Sequence, residues 1–475
     1  MSELKSKTVS GLKWSALERI LSQGVQLLLM LILARLLGPR AFGLIGMLAI
    51  FIAIGQVFID SGFSSALIRK TDRTDIDYST AFYFNILVSL CCYTVLYFCA
   101  PLIADFYGQP ELAQLTKIIG LAIIANSFTI VPRTMLTVAM NFKDQAKVSI
   151  CSVFLGGIIA LVLAWKGYGV WSLVAQTLST AVFSALLLNM TTRWMPRLCF
   201  SRHSFNYLFG FGGKLLLSGL LDTTFNNLYQ MIIGKKFNAI SVGQFTQANQ
   251  ISSIPAMTMT NIIQRVTYPM FSHMQNEQHK MDEYYLLTMK FAALFIFPLM
   301  AGIAIISQPL LHLVLGTQWH EAAGLVTILA FAYMLYPIHA INLNILQVKG
   351  RSDLFLKVEI IKKVLGIAFI LITMHYSIYY MCVGLLFHSY LALLLNTYYT
   401  GKLTGLTVLR QFKEIIPIWL ITMLSSLFAK GIASSLFTKD IWQISVMVTS
   451  APGIYIGLIY LTQRKLFNLV LSIRK

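Results

Sequence analysis

Two apolar runs, 14–37 and 42–67, flank the break GPRAFG (38–43), and this hairpin limits the possible folds more than any other feature of the chain. Each run holds about 22–25 residues, enough at about 1.5 Å per residue to cross a hydrocarbon core of ~30 Å. Gly38 and Pro39 cannot comfortably continue a helix, so the chain is expected to turn there. ALIRKTDR (66–73) then closes the second run with three cations. Further apolar runs follow at 80–104, 113–133, 148–166, 170–190, 211–233, 243–271, 284–307, 323–347, 354–375, 378–400, 412–430 and 440–462, about fourteen candidate spans in all.

Composition removes the soluble alternative. The 475 residues are 57% hydrophobic and 12% charged, whereas a soluble domain carries about 25% charge. In lipid, each backbone polar group must be satisfied within its own segment. The expected fold class is therefore an all-α polytopic membrane protein. A net charge of +19 could suggest nucleic acid. Here the cations sit in short clusters between apolar runs, as cytoplasmic loops do, so the expected partner is the lipid bilayer and not nucleic acid. The longest linkers, around 191–210 and 308–322, hold roughly 15–20 residues, too few for a soluble catalytic domain.

No cofactor, metal or catalytic residue is expected. The six cysteines have neither a pairing framework nor metal-ligand spacing, and read as packing residues. No GxxxxGK[ST] phosphate loop is present, so ATP hydrolysis by this chain is not expected. The first 13 residues are polar and basic, and no cleavable signal peptide is expected.

Orientation follows from Lys and Arg. With the N-terminus inside, the cytoplasmic segments carry Arg69, Lys70, Arg73, Lys143, Lys147, Arg193, Arg197, Arg202, Lys349, Arg351, Lys402, Arg410, Lys413, Arg464, Lys465, Arg474 and Lys475. About two dozen cations fall inside and about six outside, a bias that places both termini in the cytoplasm. An internal repeat is also legible. ARLLGPRAFG (34–43) has a counterpart in GKKFNAISVG (234–243). In each, a cation follows a small residue and a Gly comes eight positions later. The expected organisation is a six-helix lobe over 1–200, a second over 201–400 related to it by a pseudo-two-fold axis along the membrane normal, and two more helices with a cytoplasmic tail over 401–475.

Several stretches together carry a family resemblance. KWSALERI (13–20), LARLLGPRAFG (33–43), DSGFSSALIRK (60–70), GYGVWSLV (167–174), VGQFTQANQISSIPAM (242–257), RVTYPMFSHMQNE (265–277) and LGTQWHEAA (315–323) resemble the polysaccharide-exporter branch of the multidrug/oligosaccharidyl-lipid/polysaccharide (MOP) superfamily. No single motif is diagnostic, but their order covers nearly the whole chain. Where the family often has a Gly-rich turn, this chain has Phe237, Asn238, Ala239 and Ile240. Wzx-type members of the branch are flippases for lipid-linked oligosaccharides of O-antigen, capsule or exopolysaccharide. The resemblance thus implies inner-to-outer transfer of undecaprenyl-pyrophosphate-linked oligosaccharide across the bacterial inner membrane by alternating access. It leaves the polysaccharide polymerase machinery open as a partner. The competing readings are an ion-coupled multidrug or small-molecule antiporter of the same superfamily, and a membrane polysaccharide polymerase or ligase. The many amides and inner cations disfavour the first, and the short outer loops disfavour the second.

Such a substrate needs a polar cavity, because pyrophosphate and sugars cannot cross hydrocarbon unaided. Asp222, Asn226 and Gln230 follow at i+4 steps and form one stripe, widened by Thr223 and Asn227. The next span adds Gln244, Gln247, Asn249, Gln250, Asn261, Gln264 and Arg265, with a kink expected at Pro255. The span 323–347 adds His339, Asn342 and Asn344. The substrate-binding candidates are Arg19, Lys214, Asp222, Asn226, Gln230, Gln247, Gln250, Arg265 and Asn342. For any one amide, the competing role is an interhelical hydrogen bond.

Among the ionisable groups, Arg19, Arg133, Lys214, Arg265, Lys290, Lys362 and Lys363 are expected within about two helical turns of the inner boundary, either as a cationic vestibule or as cations snorkelling to headgroups. Glu359, at i−4 from Lys363, can neutralise it. Glu18, Asp60 and Asp222 are the ion-coupling candidates, since carboxylates at membrane depth are expensive and usually functional. His388 stands alone in an apolar run and is expected to pack there with one hydrogen bond.

Overall fold

The computed structural model describes the backbone of residues 2–464 and 466–467, with side chains at residue 14 and from residue 21 onward. Lys465, Arg474 and Lys475, three of the cations assigned to the inner side, lie outside the described residues. The described residues form α1 (Ser2–Asp60), α2 (Phe63–Arg69), α3 (Asp75–Tyr107), α4 (Glu111–Ile119), α5 (Leu121–Val138), α6 (Phe142–Trp165), α7 (Trp171–Thr192), α8 (Arg202–Lys236), α9 (Ala239–His273), α10 (Gln278–Leu315), a 3-10 turn (Thr317–Trp319), α11 (His320–Tyr333), α12 (Tyr336–Val348), α13 (Ser352–Thr373), α14 (Ile378–Thr404), α15 (Val408–Leu436) and α16 (Asp440–Thr462). There is no strand among them.

Ten helical stretches of the described residues are long and apolar enough to cross a membrane. The first, Leu21–Arg69, contains both legs of the expected hairpin. Gly38 (φ 73°, ψ 175°) breaks it, followed by Pro39, as their backbone chemistry demands. Three other expected spans fall in α8, α9 and α13, of 35, 35 and 22 residues. These are long enough to cross but too polar or charged to be counted among the ten.

The chain divides into two compact units, Met1–Gly243 and Gln244–Lys475. In the first, α1 packs on α6 and α8, α3 on α5, and α6 on α7. Leu33, Ala41, Ala160, Ala164 and Leu173 fill one core. An aromatic core around Phe63, Tyr78 and Phe82 seats α2 against α3 and α8, with Phe63 stacked on Phe84 at 4.8 Å. In the second unit, α10 packs on α11, α15 and α16, and α14 packs on α11, α12 and α13. Ile305, Ala429, Ala433, Met447 and Ala451 form the core between α10, α15 and α16.

The two turns matched in sequence also meet in the first unit. A Cβ on Gly43 would lie 1.6 Å from the Ala239 carbonyl oxygen, and one on Gly243 would lie 1.9 Å from that of Pro39. Each glycine thus touches the residue four places before the other. The link between α8 and α9 needs no glycine, because Asn238 Oδ1 accepts from the Ser241 amide at 2.9 Å and caps α9.

Candidate functional site

The polar stripe of α8 lies on the face that packs toward α1. Gly212 closes on the backbone of Ser61 and Gly62, Gly219 on Val57, and Gly234 on Tyr107 and Met47. Ser61 (φ 44°) and Gly62 (φ 68°) are both left-handed, and this link between α1 and α2 brings the two backbones together. At about 100° per residue, positions 222, 226 and 230 fall on the same side of α8 as 212, 219 and 234. Yet Asp222 and Asn226 are exposed, and Gln230, Thr223 and Asn227 are half-buried. The helix is held at both ends of this face, while the stretch between stands open. Leu217 and Leu221, 65% and 70% exposed, occupy the opposite side.

α1 and α5 add polar groups to the same unit. Asn126 donates to Gln56 Oε1 at 3.0 Å, and Ser64 donates to Asp60 Oδ1 at 2.6 Å. Asp60 is half-buried. Sequence reasoning missed Gln56 and Asn126, since each is a single amide in an apolar run and only the fold joins them. Cations gather where α2 meets the start of α8. Lys214 is exposed, and Arg69 lies over the Phe211 ring at 4.8 Å. Lys70 is committed to the buried Asp77 carboxylate at 2.8 Å. Arg133 is exposed. The remaining candidates of the first unit, Glu18 and Arg19, lie outside the described side chains.

The amides of the second unit behave differently. Gln244 donates to the Gln318 carbonyl at 2.8 Å and accepts from the Ala322 amide at 2.9 Å, pinning α9 to the 3-10 turn and α11. Asn342 has no exposed surface. It donates to the Ile338 carbonyl at 2.9 Å and accepts from the Tyr285 hydroxyl at 2.8 Å. That hydroxyl also lies 2.8 Å from Gln411 Oε1, and Gln411 Nε2 donates to the carbonyls of Thr397 and Leu406. Both ends of the Asn342 amide are therefore taken up in packing. Asn344 donates to Thr267 Oγ1 at 2.8 Å, and Tyr333 donates to Asn249 Oδ1. Gln247 is fully buried, and neither amide atom has a partner among the described residues. Gln250 and Arg265 are exposed.

Lys362 is the eleventh of the 22 residues of α13, about 15 Å from the start of that helix. Glu359 pairs with it at i+3, in addition to facing Lys363 in sequence. His388 makes the single hydrogen bond expected of it, to the Lys362 carbonyl at 2.9 Å.

Residues 32–324 match the model of a family described as polysaccharide biosynthesis protein. The teichuronic acid biosynthesis protein TuaB of Bacillus subtilis is 26% identical over 359 residues, covering 74% of this chain and 74% of that protein. The succinoglycan biosynthesis transport protein ExoT of Rhizobium meliloti is 26% identical over 330 residues, covering 69% of this chain and 67% of that one. Among solved structures, the inward closed conformation of the lipid II flippase MurJ superposes with a TM-score of 0.77 at 13% identity, over 95% of this chain and all of that one. At that identity the likeness concerns the fold.

Proposed function

We propose a function from one premise: this chain belongs to the polysaccharide biosynthesis protein family. It is a multi-pass membrane protein of the MOP superfamily fold. The function that fits is a flippase, not an enzyme, carrying polyprenyl-pyrophosphate-linked oligosaccharide repeat units from the inner to the outer leaflet of the bacterial inner membrane. One relative is named for succinoglycan transport, and the structural neighbour is titled a lipid II flippase. Both names fit a lipid-linked glycan as cargo.

The observation that carries this reading is the open middle of the α8 face, where Asp222 and Asn226 stand exposed and Gln230 half-buried between two tight glycine contacts. Amides and hydroxyls there can exchange hydrogen bonds with sugar hydroxyls. In the first unit Lys214, with Arg19, is the cation proposed for the pyrophosphate; in the second, Arg265 and the exposed Gln250 are the corresponding candidates. Asn342 acts through the packing that holds α10, α12 and α15 together. Glu18, Asp60 and Asp222 stand as coupling groups. The lipid tail need not enter a polar chamber and can remain in the bilayer.

The topology we propose has fourteen crossings, arranged as six-helix lobes over 1–200 and 201–400 with two further helices over 401–475. Splitting the first stretch at Gly38 and adding α8, α9 and α13 to the ten apolar stretches gives that number. The sequence match of the two turns, 34–43 and 234–243, supports the pseudo-two-fold relation. Both termini lie in the cytoplasm, and the polysaccharide polymerase is the downstream partner.

The test is a deletion in the native bacterium. Undecaprenyl-linked repeat units should accumulate on the cytosolic side, and the wild-type chain should clear them. D222N should lower export; full export with unchanged pH dependence would remove a protonation role from Asp222. Absence of any accumulated intermediate, with surface polysaccharide unaltered, would overturn the function.

A further inference from the structure

The middle of α13 holds a charge pair that the cargo site proposed on α8 does not account for. Lys362 Nζ donates to Glu359 Oε1 with only 13% and 29% of the two side chains exposed. Lys362 is the eleventh residue of α13, and His388 is the eleventh of α14, the helix packed beside it. The pair therefore sits near half the depth of a helix that is otherwise long enough to span the membrane.

A structural role explains this poorly. A buried ion pair loses hydration on both partners, and apolar residues of similar volume commonly replace one without loss of stability. Its charges help keep α13 out of the apolar set of helices. Ionisable groups retained at such depth usually mark ion pathways.

The surrounding groups suit proton chemistry. His388 Nε2 donates to the Lys362 carbonyl at 2.9 Å, which assigns its proton to Nε2. His388 Nδ1, the basic nitrogen, has no hydrogen-bond partner among the described residues. His388 lies within electrostatic reach of both Lys362 and Glu359. On α12, His339 is also within reach of Lys362, but both its nitrogens are engaged. Asn396 Nδ2 donates to Nδ1 at 3.1 Å, and Nε2 faces Ser389 Oγ at 3.3 Å. That hydroxyl passes its own hydrogen to the Ala332 carbonyl at 2.7 Å. Lys363 is the next cation along α13. Of the other helices on α14, α11 carries His320 and Glu321 at its start, while α15 carries Arg410, Lys413 and Glu414 at its start and Lys430 toward its end.

We propose that Glu359, Lys362 and His388 form a proton-exchange site at mid-membrane depth in the second unit. A proton arriving through His388 Nδ1 is taken by the Glu359 carboxylate, which becomes a neutral carboxylic acid. Lys362 keeps its own proton, so the pair passes from zero net charge to plus one and its attraction is released. Because the ammonium already neutralises the carboxylate, the site has no vacancy for an alkali cation and takes a proton instead. The proton uptake rests on this geometry alone; only its use to drive glycan export rests on the flippase reading.

The full-length chain in lipid nanodiscs can be titrated between about pH 4 and pH 9, following the carbonyl stretch of protonated carboxyl groups by infrared difference spectroscopy. The wild type should gain such a band on acidification, with the same midpoint in sodium and potassium buffers. The band should be lost in E359Q and its midpoint shifted in K362M. If E359Q does not fold, the apolar pair E359L/K362L removes both buried charges together and should lose the same band. An unchanged band in E359Q or in the double variant, or a midpoint that moves with sodium, overturns the site. Surface polysaccharide in a deletion strain is scored alongside. Restored polysaccharide with an unchanged band in E359Q leaves the flippase reading standing and removes the proton site. The expected band changes, with no restoration by the wild-type chain, do the opposite.

Discussion

The amides of α8 and those of the second unit are the same residue types on helices of similar length, but the fold uses them in opposite ways. Asn226 is exposed and Gln230 half-buried, on a face whose neighbours close only at its ends. Asn342 and Gln244 are buried, with their donors and acceptors assigned to carbonyls, amides and hydroxyls of adjacent elements. An amide already bonded inside its own unit cannot offer those bonds to a passing sugar. An exposed one such as Asn226 can, at little cost to the fold. Polarity on a helix thus marks a candidate, and packing decides between glue and site.

Breaking the sealed side should cost most. Gln411→Leu strands the Leu406 carbonyl, takes one of the donors from the Thr397 carbonyl and removes one acceptor from Tyr285, so it should destabilise the chain by roughly 2–4 kcal/mol, read as thermal unfolding in detergent. Next comes Gln244→Leu, which leaves the Gln318 carbonyl and the Ala322 amide unpaired and should cost about 1–3 kcal/mol. On the open side, Asn226→Ala should change stability by no more than about 0.5 kcal/mol. Its effect should appear in export, several-fold for a lost bond of ~1 kcal/mol to the cargo. A large stability loss from Asn226→Ala with no export defect would erase the distinction between the two regions.

The smallest effect sharpens it. Gln247 is buried without a partner among the described residues, so Gln247→Leu should be neutral or stabilising by up to about 1 kcal/mol. Loss of export in that variant at unchanged stability would move Gln247 from the sealed group to the cargo-handling one.

Much of the architecture was legible because it depends on local chemistry. The break at Gly38 and Pro39, the length of the apolar runs and the stripe at i+4 spacing all follow from residue type and helical period. The partners were not legible where they lie far apart in sequence. Asn126 reaches Gln56 across 70 residues, and Tyr285 reaches Gln411 across 126.

The sequence by itself determined that this chain is helical and membrane-embedded, since long apolar runs leave the backbone no other way to satisfy its hydrogen bonds in lipid. It also determined where the chain breaks and which helices carry polar groups. Only the tertiary structure decided which of those groups face open space and which face each other. A hydrogen bond needs both partners within about 3 Å, and distance along the chain says nothing about that until the helices are packed.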